Sequence, residues 1–359
     1  MNNTQMNIDK VQNTSSFSTA DAKKKRRKIR IKPNKDGMLA LLALVLIVAL
    51  VVAGLAFGLK LIITAVKDAQ QTEDTTDPNN GQNTLPWNNA YTSSSINTAA
   101  NITYGDLVLV NKDVAYPLTE TINNARYLTN LYGYDGHGTY YVIPDSNTKI
   151  RSTIAQSLKQ MIVDMVDANA TTLGTTKDGD RLYITGAYRD TELQTTLNTN
   201  NPSLYPEAPG YSEHHTGLAI DLKVMSNGAT ISLRDTEYQW LEEHCVEYGF
   251  VFRYNSSNPD MNEPYHLRYV GVAHATYMTE NNLSLEDYLE RLRTDHKYEQ
   301  TPLEITANEK EYLVYYVPAN TTEGATTTTI PVPPASEGTH TISGDNMNGF
   351  IVTVEKTAK

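Results

Sequence analysis

Polar and apolar positions alternate with different periods along the chain, and each period predicts an element. The longest apolar run, Met38–Leu59, contains no charged residue. It matches the ~20 residues needed to cross ~30 Å of hydrocarbon. Leu107–Asn111 (LVLVN) reads as a short β run. Ile154, Leu158, Met161, Ile162 and Met165 recur at helical spacing and predict an amphipathic helix. Arg181–Tyr188 predicts a strand, with Arg189-Asp-Thr-Glu-Leu opening a helix after it. Trp240, Leu241, His244 and Tyr248 share one helical face, so a helix is expected over Asp235–Tyr248, stopped by Gly249, with FVFRY as the next strand. Glu286–Arg293 reads as a final charged helix. From about Thr301 the stretches EKEYLVYYV, TTTTIPVPP and GFIVTV alternate like β structure. The order predicts an α+β fold, a small mixed sheet with flanking helices, followed by a C-terminal β appendage.

Charge divides the chain unevenly. Residues 1–36 hold ten Lys/Arg against three Asp/Glu, a local +7, while the remainder carries twenty against thirty-eight, or −18. The acidic remainder argues against nucleic acid as a partner of the folded part. The basic run Lys23–Lys32 directly precedes the apolar run, which orients the N-terminus to the cytoplasm and the rest outside. A cleaved signal peptide has the same basic-then-apolar layout, but the run is long for that and no small-x-small site follows, which favours an uncleaved signal anchor in membrane lipid. The expected organisation is a cytoplasmic basic tail (1–37), a transmembrane anchor (38–59), a Thr/Asn/Gln-rich extracellular linker (60–104), a folded α+β domain (105–298) and a β-rich extension (299–359). A single cysteine, Cys245, excludes an intramolecular disulfide, and its helical setting makes it a small buried hydrophobe.

The chemistry concentrates in Ser212–Asp221, SEHHTGLAID, and in Glu263-Pro-Tyr-His266. Two imidazoles and a carboxylate, with a spare carboxylate, make the inventory of a catalytic zinc site. His214 and Asp221 are an odd number of residues apart, so a flat strand would send them to opposite faces, and Gly217 must bend the chain for both to reach one ion. From the residues alone either His214 or His215 can be the ligand. His137, between glycines in a Tyr-rich loop, reads as solvent-exposed.

The pattern Ser212-x-His214-x-x-Gly217-x-Ala219-x-Asp221, then Glu263-Pro-Tyr265-His266-x-Arg268, closely resembles the VanY-type D-alanyl-D-alanine carboxypeptidases, as does the upstream ITGAYRD carrying Arg189. The resemblance covers roughly Leu107 to Leu292 and implies a DD-peptidase/hedgehog-like fold. It implies His214, Asp221 and His266 as Zn²⁺ ligands, Glu263 as catalytic base and Arg189 as the group steadying the scissile carbonyl. Ser212 and Tyr265 become substrate contacts. The implied partner is a peptidoglycan stem peptide ending in D-Ala, in the wall of a Gram-positive bacterium. His215 stands where many relatives have glutamine, Tyr265 replaces the usual tryptophan and Leu267 a common phenylalanine. An L,D-carboxypeptidase, an endopeptidase of the same fold and a non-catalytic wall-binding module are the alternatives; Glu263, which a purely structural site would not need, argues against the last. Ser146-Asn-Thr-Lys149 fits the acylating S-x-x-K pattern, but its companion motifs are missing.

Overall fold

The computed structural model describes residues 92–357 except 119–126, 170–172, 174–179, 227–228, 232, 234–237 and 254–265. These belong to a unit of the chain spanning Gly81–Lys359. The basic tail, the apolar run 38–59 and the linker as far as residue 91 lie outside the described residues. Among the described residues, no helix is long and apolar enough to cross a membrane.

In chain order, β1 (Thr92–Asn97) and α1 (Thr98–Asn101) lead to β2 (Leu128–Asn130) and β3 (Lys149–Arg151). Next come α2 (Ala155–Ala168), β4 (Arg181–Gly186), α3 (Thr191–Asn200), β5 (Ala219–Ser226) and β6 (Ala229–Ile231). After α4 (Gln239–His244) come β7 (Phe250–Phe252), β8 (His266–Tyr269), α5 (Val272–Glu280) and α6 (Leu285–Asp295). Five strands close the chain: β9 (Leu303–Ala307), β10 (Lys310–Pro318), β11 (Thr327–Val332), β12 (Gly338–Gly344) and β13 (Gly349–Lys356).

The sheet that carries the histidine motifs has the order β4-β5-β8-β7, with β6 also on β5. Every one of these pairs is antiparallel, which corrects the expected mixed sheet. The parallel contact to it, Val142 with Tyr183, is an isolated bridge. A parallel neighbour needs a long crossover, whereas β5 and β6 are separated by two residues. Along β5 the residues alternate: Ile220, Leu222 and Val224 enter a core with Leu158, Met161, Ile162 and Met165 of α2 and with Leu182 and Ile184 of β4. Asp221 therefore points to the other face. On the core side α4 tightens into a 3₁₀ turn, Cys245–Tyr248, and ends at Gly249 in the left-handed region (φ +85°). Its described α-helical part begins at Gln239, and residues 235–237 of the expected helix lie outside the described residues. Cys245 is free and buried, as its setting implies.

Two expectations about the N-terminal part are overturned. Residues 92–101, placed in the linker, instead form β1 and a helical turn, and β1 pairs antiparallel with β11 from Thr92↔Val332 to Asn97↔Thr327. Their polar composition suits a ribbon with one face in water. The LVLVN run is buried but joins no ladder. Its main chain is held by other groups: Leu107 N–H donates to Ser343 Oγ (2.9 Å), Leu109 N–H to the Asp345 carbonyl (3.1 Å), and Arg268 Nη2 to the Val108 carbonyl (2.8 Å). Those bonds replace strand partners, so apolar alternation alone misassigned it.

The C-terminal strands β12-β13-β10-β9 form a second antiparallel sheet. Leu313, Tyr315 and Val317 of β10 face Ile330 and Val332 of β11 in one apolar layer. Val314 and Tyr316 face the opposite layer with Ala273 and Met278 of α5 and with Tyr288, Leu289 and Leu292 of α6. A strand buried on both faces is apolar continuously, which explains YLVYYV. The extension therefore packs on α5 and α6, the helices next in the chain after His266.

Candidate metal centre

Three neighbouring strands bring the site together. The register pairs Gly186 of β4 with Asp221 of β5, and Asp221 with His266 of β8. Residues directly opposite in a sheet share a face, so the Asp221 carboxylate and the His266 imidazole project side by side. A Cβ on Gly186 would lie 2.1 Å from Asp221 Oδ2 and 3.1 Å from Arg189 Nη2; glycine leaves the space those groups occupy. His214 arrives by a different route. Glu213–Thr216 makes one 3₁₀ turn, and Gly217 (φ +68°) reverses the chain into β5. Thr216 Oγ1 ties the turn, donating to the Glu213 carbonyl (2.6 Å) and accepting from Leu218 N–H (3.0 Å). The bend expected at Gly217 is the one that carries His214 and Asp221 to one point.

His214, Asp221 and His266 are all buried, and one candidate ligand atom from each lies within 4.8 Å of the others. His214 donates Nδ1–H to the Ala187 carbonyl (2.7 Å), so its Nε2 presents a lone pair, 3.3 Å from Asp221 Oδ2. His266 Nδ1 faces Asp221 Oδ1 at 3.0 Å. The rings stand edge to face, 5.0 Å apart. Burial first, then the Arg189 charge, pulls the His214 pKa down to about 4, although Asp221 opposes this. Burial also works against a charge on His266, but hydrogen bonds to Asp221 and Glu213 outweigh it and raise the pKa to about 9. Without metal, a proton on His266 thus relieves the crowding of lone pairs. Two imidazoles and a carboxylate aimed at one point are a zinc donor set, and the residues fit that ion.

Arg189, 6% exposed, donates from Nη2 to Asp221 Oδ2 (2.8 Å) and lies over the Tyr205 ring, 5.1 Å from its centroid. It sits beyond the end of β4, before Asp190, whose side chain accepts from Leu193 N–H to cap α3. Arg189, Tyr205, Tyr211, Ser212 and His214 line one cleft with Asp221 and His266. Ser212 is buried in its wall. His215 is elsewhere: Nδ1 contacts the Arg189 carbonyl (2.8 Å) and Nε2 accepts from Gly210 N–H (3.0 Å). His137 lies in its loop against Tyr132 and Tyr141, apart from these groups. Glu263 and Tyr265 lie outside the described residues.

Sequence reasoning passed over Glu213, which is 4% exposed beside the two histidines. Its Oε2 is 3.3 Å from His266 Nε2, and Oε1 accepts from Arg253 Nε and Arg268 Nη1, each at 2.8 Å. Burial raises its pKa, but the two arginines outweigh burial and hold the carboxyl well below its usual range. No local signal marks it, because its partners Arg253 and Arg268 stand 40 and 55 residues away in the chain.

The sequence matches the family model described as VanY, D-alanyl-D-alanine carboxypeptidase, over residues 147–272. The D-alanyl-D-alanine carboxypeptidase of Enterococcus faecium is 31% identical over 261 residues, covering 72% of this chain and 77% of that protein. The putative carboxypeptidase YodJ of Bacillus subtilis is 31% identical over 196 residues, covering 48% of this chain and 71% of its own. Among solved structures, the vancomycin-resistance D,D-dipeptidase VanXYg, in complex with a D-Ala-D-Ala phosphinate analog, has a TM-score of 0.57 at 25% identity, covering 74% of this chain and 99% of that one.

Proposed function

The chain belongs to the VanY family of D-alanyl-D-alanine carboxypeptidases, and on that premise we propose that it removes the terminal D-alanine from peptidoglycan stem peptides at a zinc site made by His214, Asp221 and His266. The observation that carries this reading is the direction of three donors: His214 Nε2, with its Nδ1–H taken by Ala187, and His266 Nδ1 both face the Asp221 carboxylate. Zinc held there supplies Lewis acidity at neutral pH.

The chain's own residues do the rest. Glu263 acts as general base, taking a proton from the attacking water and passing it to the amine of the departing D-alanine. Arg189 provides a fixed guanidinium beside Asp221 for the negative charge that develops on the scissile carbonyl oxygen, a kind of contact whose loss costs ~3–4 kcal/mol. Ser212 and Tyr265 contact the substrate's end. The catalytic part works outside the cell, tethered by the 38–59 segment in the membrane.

The test is D-alanine release from a pentapeptide stem ending in D-Ala-D-Ala, run beside a tetrapeptide stem. We expect release from the pentapeptide only, abolished by a strong zinc chelator and insensitive to penicillin. Glu263→Ala should keep its zinc and lose about 10²–10⁴-fold in kcat. Release from the tetrapeptide alone would reassign the enzyme as an L,D-carboxypeptidase. No release from either stem, with zinc bound, would point to an endopeptidase or a binding module.

A further inference from the structure

Glu213 immediately precedes His214, yet its side chain serves the other histidine. Its surroundings leave it no freedom to turn away. Arg268, fully buried, gives Nη1 to Glu213 and also donates to main-chain carbonyls, from Nη2 to Asp106 (3.0 Å) and Val108 (2.8 Å) and from Nε to Tyr269 (3.0 Å). Arg253 gives Nε to Glu213 and Nη2 to Glu286 Oε1 (2.7 Å). Both arginines approach the same oxygen, Oε1, and Oε2 is left to face His266 Nε2 at 3.3 Å. An ionised carboxylate offers acceptors only, so the imidazole nitrogen opposite Glu213 has to carry a hydrogen; Nδ1, opposite Asp221 at 3.0 Å, carries one as well without metal, and it is this second proton that a bound ion would replace.

We infer that Glu213 is a positioning residue that keeps the His266 proton on Nε2 and thereby reserves Nδ1 as a lone-pair donor beside Asp221 and His214. The inference rests on the zinc reading above. A buried carboxylate whose work was only to neutralise two arginines would not need a contact to the ring. Holding the outer nitrogen of a ligating histidine fixes both its tautomer and its orientation.

Glutamine at this position separates the two roles. In Glu213→Gln the single carbonyl oxygen is claimed by the arginines, so the amide NH₂ faces His266 Nε2 and favours the tautomer with the proton on Nδ1. Zinc affinity of the full chain, measured by competition with a chromophoric chelator, should fall by a factor of about 10–100. At saturating zinc, kcat should return to within a few-fold of wild type with KM unchanged. Histidine ¹⁵N NMR of the zinc-loaded wild type should show the His266 proton on Nε2. Unchanged zinc affinity in folded Glu213→Gln overturns the inference and leaves the zinc reading standing. A wild type that binds no zinc overturns both. If Glu213→Gln does not fold, the wild-type NMR measurement decides alone, and a proton on Nδ1 overturns the inference.

Discussion

His215 adjoins a proposed zinc ligand, but both its ring nitrogens are engaged by main chain. Gly210 N–H donates to Nε2, so the proton must be on Nδ1, which donates it to the Arg189 carbonyl. The ring thus ties the loop before the motif to the residue that carries the cleft's guanidinium. His215→Ala removes two buried hydrogen bonds and leaves their partners unsatisfied, at ~1–3 kcal/mol each. We expect this variant to keep about one zinc per chain while kcat falls by up to about 10²-fold through displacement of Arg189. His214→Ala should instead lose the zinc. Metal analysis of both purified variants distinguishes them, and zinc lost from His215→Ala but retained by His214→Ala would reverse the assignment of the two residues.

Elements bring the ligands together by register, and register was the part the sequence did not carry. The bend at Gly217 was readable, because the odd spacing from His214 to Asp221 demanded it. The pairing Gly186↔Asp221↔His266 was not, since nothing local in ITGAYRD announces that its glycine lies opposite a carboxylate. Buried partnerships far apart in sequence were equally hidden: Glu213 with Arg253 and Arg268, or LVLVN with Ser343 and Asp345. The helix α5 escaped notice because its buried residues, Ala273, His274, Ala275 and Met278, are small or polar and give no strong apolar stripe.

His274 of α5 meets two other elements, with Nδ1 2.7 Å from Tyr288 Oη on α6 and Nε2 2.9 Å from Thr353 Oγ1 on β13. Burial lowers its pKa from 6.5 to about 3. The folded state therefore resists a proton that the unfolded chain accepts below pH 6.5. Stability is full above that pH and declines as pH falls from 6.5 toward 3, by up to ~1.4 kcal/mol per pH unit. Urea unfolding at pH 7 and pH 5 should show His274→Gln losing less stability over that interval than the wild type; equal losses would remove His274 as a cause.

At the scale of the whole chain, the +7 of residues 1–36 and the −18 of the remainder predict a topology. Protease added to intact protoplasts should remove the catalytic part and spare an N-terminal tag, because basic residues stay on the cytoplasmic side. Digestion of the tag, or recovery of the catalytic part free in the medium, would contradict an uncleaved anchor.

The β1–β11 ribbon has a mechanical consequence for a chain held in this way. Any load applied through the residues ahead of Thr92 reaches the ribbon first, at the pair Thr92↔Val332, and must strip six cross-strand positions to Asn97↔Thr327 before it pulls on α1 and the LVLVN run. Behind it stand the Leu107–Ser343 and Val108–Arg268 bonds, and Arg268 also grips Glu213. If residues 38–59 anchor the chain as proposed, tension from that side falls on this ribbon before any strain reaches the buried Glu213–Arg268 pair beside His266.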